Sequence, residues 1–261
     1  MKNIPINSES SAETDTTSNE QGLALEIINL KKSFKDNHVL NGITLTLNKG
    51  ENLVILGKSG TGKSVLIKCV VGLIVPEEGE MKALGQNILE LNEEELNKLR
   101  KKIGFLFQSA ALYDSMTVRE NLAFPLRNNP SVNENEIEKL VKEALENVGL
   151  LEAIDKMPSE LSGGMRKRIG LARTLILKPE IMLYDEPTTG LDPITAKEIS
   201  NLILEVKEKF NTASIIITHD IACAKIVADR IIVLKKGICA AEGTFEELQN
   251  SSDPEVSSYF V

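Results

Sequence analysis

Hydrophobic and polar positions along the chain change rhythm several times, and each change marks an element. Residues 25–30 and 43–47 alternate as half-buried strands do, the second run, Ile43-Thr44-Leu45-Thr46-Leu47, cleanly. Residues 52–56 form a short apolar run that ends at glycine, and a helix is predicted over about 62–71. Residues 81–89 predict an edge strand and turn, 93–102 a charged helix, and 103–107 another buried strand. Over 132–148, Leu and Val recur at helical spacing among many Glu and Lys, the signature of a surface helix, and Gly149 marks its end. Residues 163–177 read as helix, stopped before Pro179. Beyond them strands (181–184, 214–218, 230–234, 238–241) alternate with helices (193–209, 221–228, 245–249). Pro193 suits the first turn of its helix. Such alternation specifies an α/β protein with a mainly parallel sheet covered by helices. Two early antiparallel strands and a helical insert near 115–175 are added to it, and there is no internal repeat.

Bulk properties narrow the classes. A chain of 261 residues makes one large α/β domain or two modest ones. Its 42% hydrophobic and 26% charged residues are those of an ordinary soluble protein. A net charge of −8 argues against nucleic acid as partner, since a nucleic-acid binder shows a basic face. Cys69, Cys223 and Cys239 are odd in number and far apart, which fits a reduced, cytosolic setting. Residues 1–22 are rich in Ser, Thr, Asn and Glu and read as a disordered tail. They lack the apolar core of a signal peptide. The longest apolar runs are strand-sized, well short of the roughly 18 residues that a membrane span needs. The chain is therefore expected not to cross the bilayer itself, which leaves open docking on something that does.

The strongest chemical signal is Gly57-Lys58-Ser59-Gly60-Thr61-Gly62-Lys63-Ser64, which matches G-x-x-x-x-G-K-[S/T] between a strand and a helix. Glycines let the backbone curl so that successive N–H groups face one anion, and the helix N-terminus adds positive charge. Lys63 can reach the outer phosphates and Ser64 can hold Mg²⁺. A chance Gly-rich loop is the competing reading, and strand–loop–helix context disfavours it. A second signal is the apolar run 181–184 ending in Asp185-Glu186. Buried charge needs a reason: Asp185 suits Mg²⁺, and Glu186 suits orienting and deprotonating a water that attacks the γ-phosphate. Alone, the pair would read as a solvated strand end. His219 also ends an apolar strand, at the edge where open α/β sheets bind ligands, and is assigned to the γ-phosphate. His38 is read as a surface turn residue.

Leu161-Ser162-Gly163-Gly164-Met165 completes a series with the phosphate loop, Gln108, Asp185-Glu186, Gly190-Leu191-Asp192 and His219. In order and spacing, from about 23 to 250, the series resembles the ATP-binding subunit of an ABC (ATP-binding cassette) transporter. The resemblance implies a P-loop fold with an antiparallel β subdomain and a helical subdomain at about 112–178, followed by a short tail over 251–261. It implies an ATPase whose cofactors are ATP and Mg²⁺. Phe34 falls where the family stacks an aromatic on adenine, and Gly57 to Val65 hold the phosphates. Gln108 touches Mg²⁺ and the attacking water, and His219 is the switch histidine. Ser162, Gly163 and Gly164 contact ATP on a second copy of the chain, and Asp192 reports across that dimer. Phosphate loop and signature lie far apart in the family's monomers, so two copies pair head to tail around two ATPs.

The run FLFQSAALYDSMTV (105–118), continued by 120–127, narrows the resemblance to the Mla-type branch. So do 56–68, the Met after LSGG, and Asp192-Pro193-Ile194-Thr195. That branch implies phospholipid transport with an integral membrane permease and an MCE-domain protein, on the cytoplasmic face of the inner membrane. Two departures stand out. Many relatives have Gly where Ala110 stands, and some have a longer C-terminal extension that embraces the neighbouring subunit. Within the run, Phe105 to Phe107 are expected in the core and 110–116 as an exposed apolar groove, with Leu112 and Tyr113 docking the permease. The alternatives are an ABC ATPase for another solute and a soluble ABC ATPase acting on DNA or ribosomes. Against the second of these, this chain has neither the long coiled coil nor the paired cassettes usual in such proteins.

Overall fold

Alternation lays down the first sheet. In the computed structural model, which describes residues 22–127 and 132–260, β1 (Leu23–Phe34) and β2 (Asn37–Asn48) form a long antiparallel hairpin. Both strands reach well beyond their cleanly alternating cores, because pairing on the neighbouring strand continues where the pattern fades. Next come β3 (Asn52–Leu56), α1 (Lys63–Val70), β4 (Glu78–Ala83) and β5 (Gln86–Asn87). β4 pairs with β1 and β5 with β4, giving an antiparallel sheet of order β2-β1-β4-β5.

The remaining elements are α2 (Glu93–Arg100), β6 (Ile103–Leu106), α3 (Val118–Arg127), α4 (Glu134–Glu146), α5 (Gly163–Leu175), β7 (Ile181–Asp185), α6 (Pro193–Phe210), β8 (Ala213–Thr218), α7 (Ile221–Val227), β9 (Arg230–Lys235), β10 (Ile238–Gly243), α8 (Phe245–Gln249) and α9 (Pro254–Ser257). The second sheet has the order β10-β9-β3-β8-β7-β6 and is parallel except for β10. The α/β class read from the sequence is the one the chain adopts.

The parallel sheet divides two cores. On β3, Leu53 and Ile55 face one side, with Ile215, Ile217, Ile232 and the buried residues of α1. Val54 and Leu56 face the other, with Ile216, Ile231, Tyr184 and the helices α3 to α6. Both faces of each strand are covered, which is why these strands read as unbroken apolar runs. The strand ends that lead into 57–64, Gln108, Asp185-Glu186 and His219, those of β3, β6, β7 and β8, belong to parallel neighbours and lie on one edge of this sheet.

Three expectations change. Helix α3 was not separately foreseen: Pro125 lies inside it and reads as a breaker, yet it falls in the last turn. Phe105 and Phe107 are only half-buried, stacked on each other with centroids 4.0 Å apart, and Leu106 alone is fully in the core. Residues 110–116 are not one exposed groove, since Ala110 is 1% exposed and Leu112 packs against the helical core. After 250, the chain turns into α9 and sets Val256 and Phe260 into the core, Phe260 edge-on to Phe245. Apart from Gly22, the tail expected over 1–22 lies outside the described residues, as do 128–131.

Candidate active site

From Leu56 the chain curls through Gly57–Gly62 into α1. Gly62 has a φ of 102°, and a Cβ there would sit 2.8 Å from the Val39 carbonyl oxygen and 2.9 Å from Leu40 Cδ2. Only glycine meets both conditions. The first amides of α1 have no carbonyl of their own helix to bind, so they remain as donors at its positive end. The Thr61 hydroxyl donates to the Lys58 carbonyl at 2.9 Å and closes the loop. Lys63, 7% exposed, folds back and donates to the Gly57 carbonyl at 2.7 Å and the Lys58 carbonyl at 3.2 Å. Burial pushes its pKa down, against the opposing pull of Glu186 and Asp185.

Strands β7 and β8 run in register, so Asp185 is beside Ile217 and the next residues of both strands meet at one edge. Asp185 Oδ1 accepts from the Ser64 hydroxyl at 3.1 Å. Burial raises the Asp185 pKa, partly offset by that hydrogen bond. Glu186 adopts φ 52°, its amide donating to the Ile217 carbonyl at 2.9 Å. Its Oε2 lies 2.8 Å from His219 Nδ1 and accepts from the Thr189 hydroxyl at 3.1 Å, while Oε1 is 3.9 Å from the Lys63 ammonium. A carboxylate can only accept, so this contact is a hydrogen bond in the tautomer that carries its proton on Nδ1 of His219.

A cleft of about 630 Å³ opens over this edge. It is lined by Lys58, Ser59, Gly60, Gly62, Lys63, Ser64 and Val65 and by Gln108, Glu186 and His219. Phe34, 46% exposed, stands at its rim. Ser64, Asp185 and the Gln108 amide supply only hard oxygen donors, with no thiolate or imidazole among them, and that donor set fits Mg²⁺.

Four of the expected residues stand apart from this cleft. Ser162 caps α5, accepting from the Met165 amide at 3.2 Å, and it is exposed together with Gly163. Gly164 is buried against α6, where a Cβ would lie 2.5 Å from Thr195 Cγ2. Asp192 caps α6 through the Ile194 and Thr195 amides, both at 3.1 Å, and takes the Thr195 hydroxyl at 2.5 Å. Those bonds hold its carboxyl below the usual range.

The family model described as ABC transporter matches residues 40–189, which hold the phosphate loop, Gln108, Ser162 and Asp185-Glu186. The chain belongs to the ABC transporter family. It is an ATP-binding cassette of that family, an ATPase coupled to transport. The probable ribonucleotide transport ATP-binding protein Mkl of Mycobacterium leprae is 41% identical over 238 residues, which is 91% of this chain and 69% of the relative. The intermembrane phospholipid transport system ATP-binding protein MlaF of Haemophilus influenzae is 40% identical over 235 residues, 90% of this chain and 89% of that one. Among solved structures, the ATP-binding cassette MJ0796 as a dimer in a post-hydrolysis state, bound to ADP and phosphate, superposes with a TM-score of 0.78 at 32% identity. That match covers 85% of this chain and 98% of the other.

Within this ABC cassette the segment after Gln108 is gripped by residues that sequence reasoning missed. Asn121, fully buried on α3, takes the Tyr113 amide at 2.8 Å and donates to the carbonyls of Tyr113, Met116 and Thr117 at 3.0–3.1 Å. A signal was present: Asn121 occupies the apolar stripe of Val118 and Leu122. Arg173, on α5, donates to the Ala111 carbonyl at 2.8 Å and the Ala110 carbonyl at 3.2 Å. Ala110 and Ala111 have φ of 60° and 49°. Glycine adopts that conformation without cost, whereas here Arg173 holds two alanines in it. Beyond the grip, Tyr113 and Phe124, both exposed, pack with their rings tilted at 53° and centroids 5.0 Å apart.

Proposed function

We propose that this chain hydrolyses ATP as one half of a head-to-tail pair and that the transporter it drives moves phospholipid. In this reading ATP lies in the cleft, with its adenine on Phe34 and its phosphates along the amides of 58–65 and the Lys63 ammonium. Ser64, Asp185 and Gln108 would hold Mg²⁺, which supplies charge neutralisation on the phosphate oxygens when bound. Glu186 accepts the proton of the attacking water, and His219 and Thr189 fix the orientation of its carboxylate. Ser162, Gly163, Gly164 and Asp192 act on the nucleotide of the second copy. The exposure of Ser162, Gly163 and Asp192, and the separation of all four residues from the cleft, support this, as does the dimeric state of the solved relative.

The observation that carries the cargo assignment is the extent of the match to MlaF. It takes in nearly the whole of both chains, against 69% of the length of the Mkl relative. The permease and an MCE-domain protein are then the partners, with the cassette on the cytoplasmic face of the inner membrane. Leu112 and the Tyr113–Phe124 pair offer the permease a half-exposed apolar surface. No described helix is long and apolar enough to cross a membrane. Ribonucleotide transport is the second reading, favoured by the Mkl similarity.

Purification of the cassette from native membranes with its neighbours tests the assignment. Co-purification of a permease and an MCE-domain protein, with ATPase stimulated by phospholipid, is the expected result. A complex without them, stimulated by ribonucleotides, sinks the lipid reading. In the same complex Glu186→Gln should bind ATP yet turn over about 100- to 10,000-fold more slowly. Normal turnover removes Glu186 as the base.

A further inference from the structure

Lys167 is a lysine on the buried face of α5. Its neighbours at helical spacing, Gly164, Gly170 and Leu171, are buried, and Lys167 itself is 5% exposed. A long charged side chain pays heavily for such a site unless something there needs it. Its ammonium donates to the backbone carbonyl oxygen of Glu186 at 3.0 Å.

That carbonyl belongs to a residue under tension. Glu186 has φ 52°, a conformation that a residue with a Cβ rarely adopts. Its amide is tied to β8 through Ile217 and its carbonyl to α5 through Lys167, so both peptide groups flanking the Cα are fixed by different elements. From that fixed Cα the carboxylate reaches His219 and Thr189. Thr189 also lines, with Lys167, Gln108 and Gly163, a second cleft of about 430 Å³ between the segment after Gln108, the start of α5 and the 189–191 turn. A bond to the Glu186 carbonyl therefore joins the helix that Ser162 begins to the residue facing the first cleft.

We propose that Lys167 is a positioning residue for ATP hydrolysis. It clamps the left-handed turn at Glu186, so that the carboxylate keeps its place at His219, and it ties the signature helix to that carboxylate. This rests on Glu186 being the base. Burial brings the lysine pKa down to about 8, against the opposing pull of Asp185 and Glu186, which fits an ammonium placed for a structural bond beside two carboxylates.

The test is Lys167→Met in the full chain with its partners, since Met fills the volume of the lysine stem without the donor. A misplacement of about 1 Å costs on the order of 100-fold, so kcat should fall by about 10- to 100-fold. KM for ATP should stay within about twofold, since ATP contacts are untouched. Lys167→Arg, which keeps a donor, should recover most of the loss. In a Glu186→Gln background Lys167→Met should slow the residual turnover no further, because the base it positions is gone. Wild-type kcat in Lys167→Met, no recovery with Arg, or an equal loss in the Glu186→Gln background would each overturn the proposal. If the Met variant melts early, Lys167→Gln decides instead: its amide is one bond short of the carbonyl, so a lowered kcat at unchanged KM supports the clamp and a wild-type kcat refutes it. Failure of Glu186 as the base shows separately, as normal turnover in Glu186→Gln alone.

Discussion

Asn121→Ala separates an anchored segment after Gln108 from one that merely lies there. The substitution removes four hydrogen bonds, but their loss is not uniform. The Tyr113 carbonyl keeps the Met116 amide at 3.1 Å, and the Thr117 carbonyl keeps the amide of residue 121 itself at 2.9 Å. The Tyr113 amide and the Met116 carbonyl lose their partner in the side chain. These two groups are part-buried, so each loses about 1 kcal/mol with its partner, and the small void left by the amide adds about as much again, which puts the destabilisation near ~3 kcal/mol. For a chain of this size that is a drop in melting temperature of roughly 6–12 °C. Asn121→Asp should cost more than Asn121→Ala near neutral pH, because a carboxylate would face three carbonyl oxygens with no donor to offer them. Thermal unfolding followed by circular dichroism reads both numbers. A shift under about 2 °C for Asn121→Ala, or an Asp variant as stable as wild type, would refute the anchoring argument.

Lys63→Ala should weaken ATP binding by about 10- to 100-fold, the worth of a charged hydrogen bond to phosphate, and unchanged affinity by titration calorimetry would remove Lys63 from the site. Replacing Leu112 and Tyr113 together with Asp should release the cassette from its permease while leaving ATP binding intact, so retained co-purification counts against the docking surface. The alkaline limb of stability should report Lys167. Its folded pKa, about 8, lies below the unfolded 10.5, so between these values the unfolded chain binds more protons and stability rises with pH. The burial penalty is fully present below about pH 8 and is absent from Lys167→Met, so wild type should gain stability relative to the variant from about pH 7.5 to about pH 10. A gap constant across that range would show that Lys167 does not titrate there.

What could be read from the sequence follows from how local each signal is. The residues of the cleft were legible because the phosphate loop and the two strand-end carboxylates sit at the ends of continuous apolar runs, and those runs are set by burial on both faces of one sheet. The parallel sheet was legible for the same reason. The first sheet was underestimated, since the ends of β1 and β2 are held by their pairing partners rather than by their own alternation. The segment after Gln108 was misjudged because pattern cannot show that Ala110 turns into the left-handed region and tucks under Arg173, 63 residues away. Lys167 and Asn121 each broke an apolar helical stripe. That was a visible sign, but the carbonyls they bind belong to turns whose course no periodicity encodes.

The left-handed turn at Glu186 also bears on how this protein can be engineered. A side chain there costs about 1–2 kcal/mol that glycine would not, and asparagine tolerates the conformation better than glutamate. A library screened for heat resistance alone should therefore enrich Gly or Asn at position 186, scoring as improvements the changes that delete the carboxylate assigned as the base. Selection for thermostability in this cassette needs an activity gate, because at this residue the more comfortable backbone and the working enzyme lie in opposite directions.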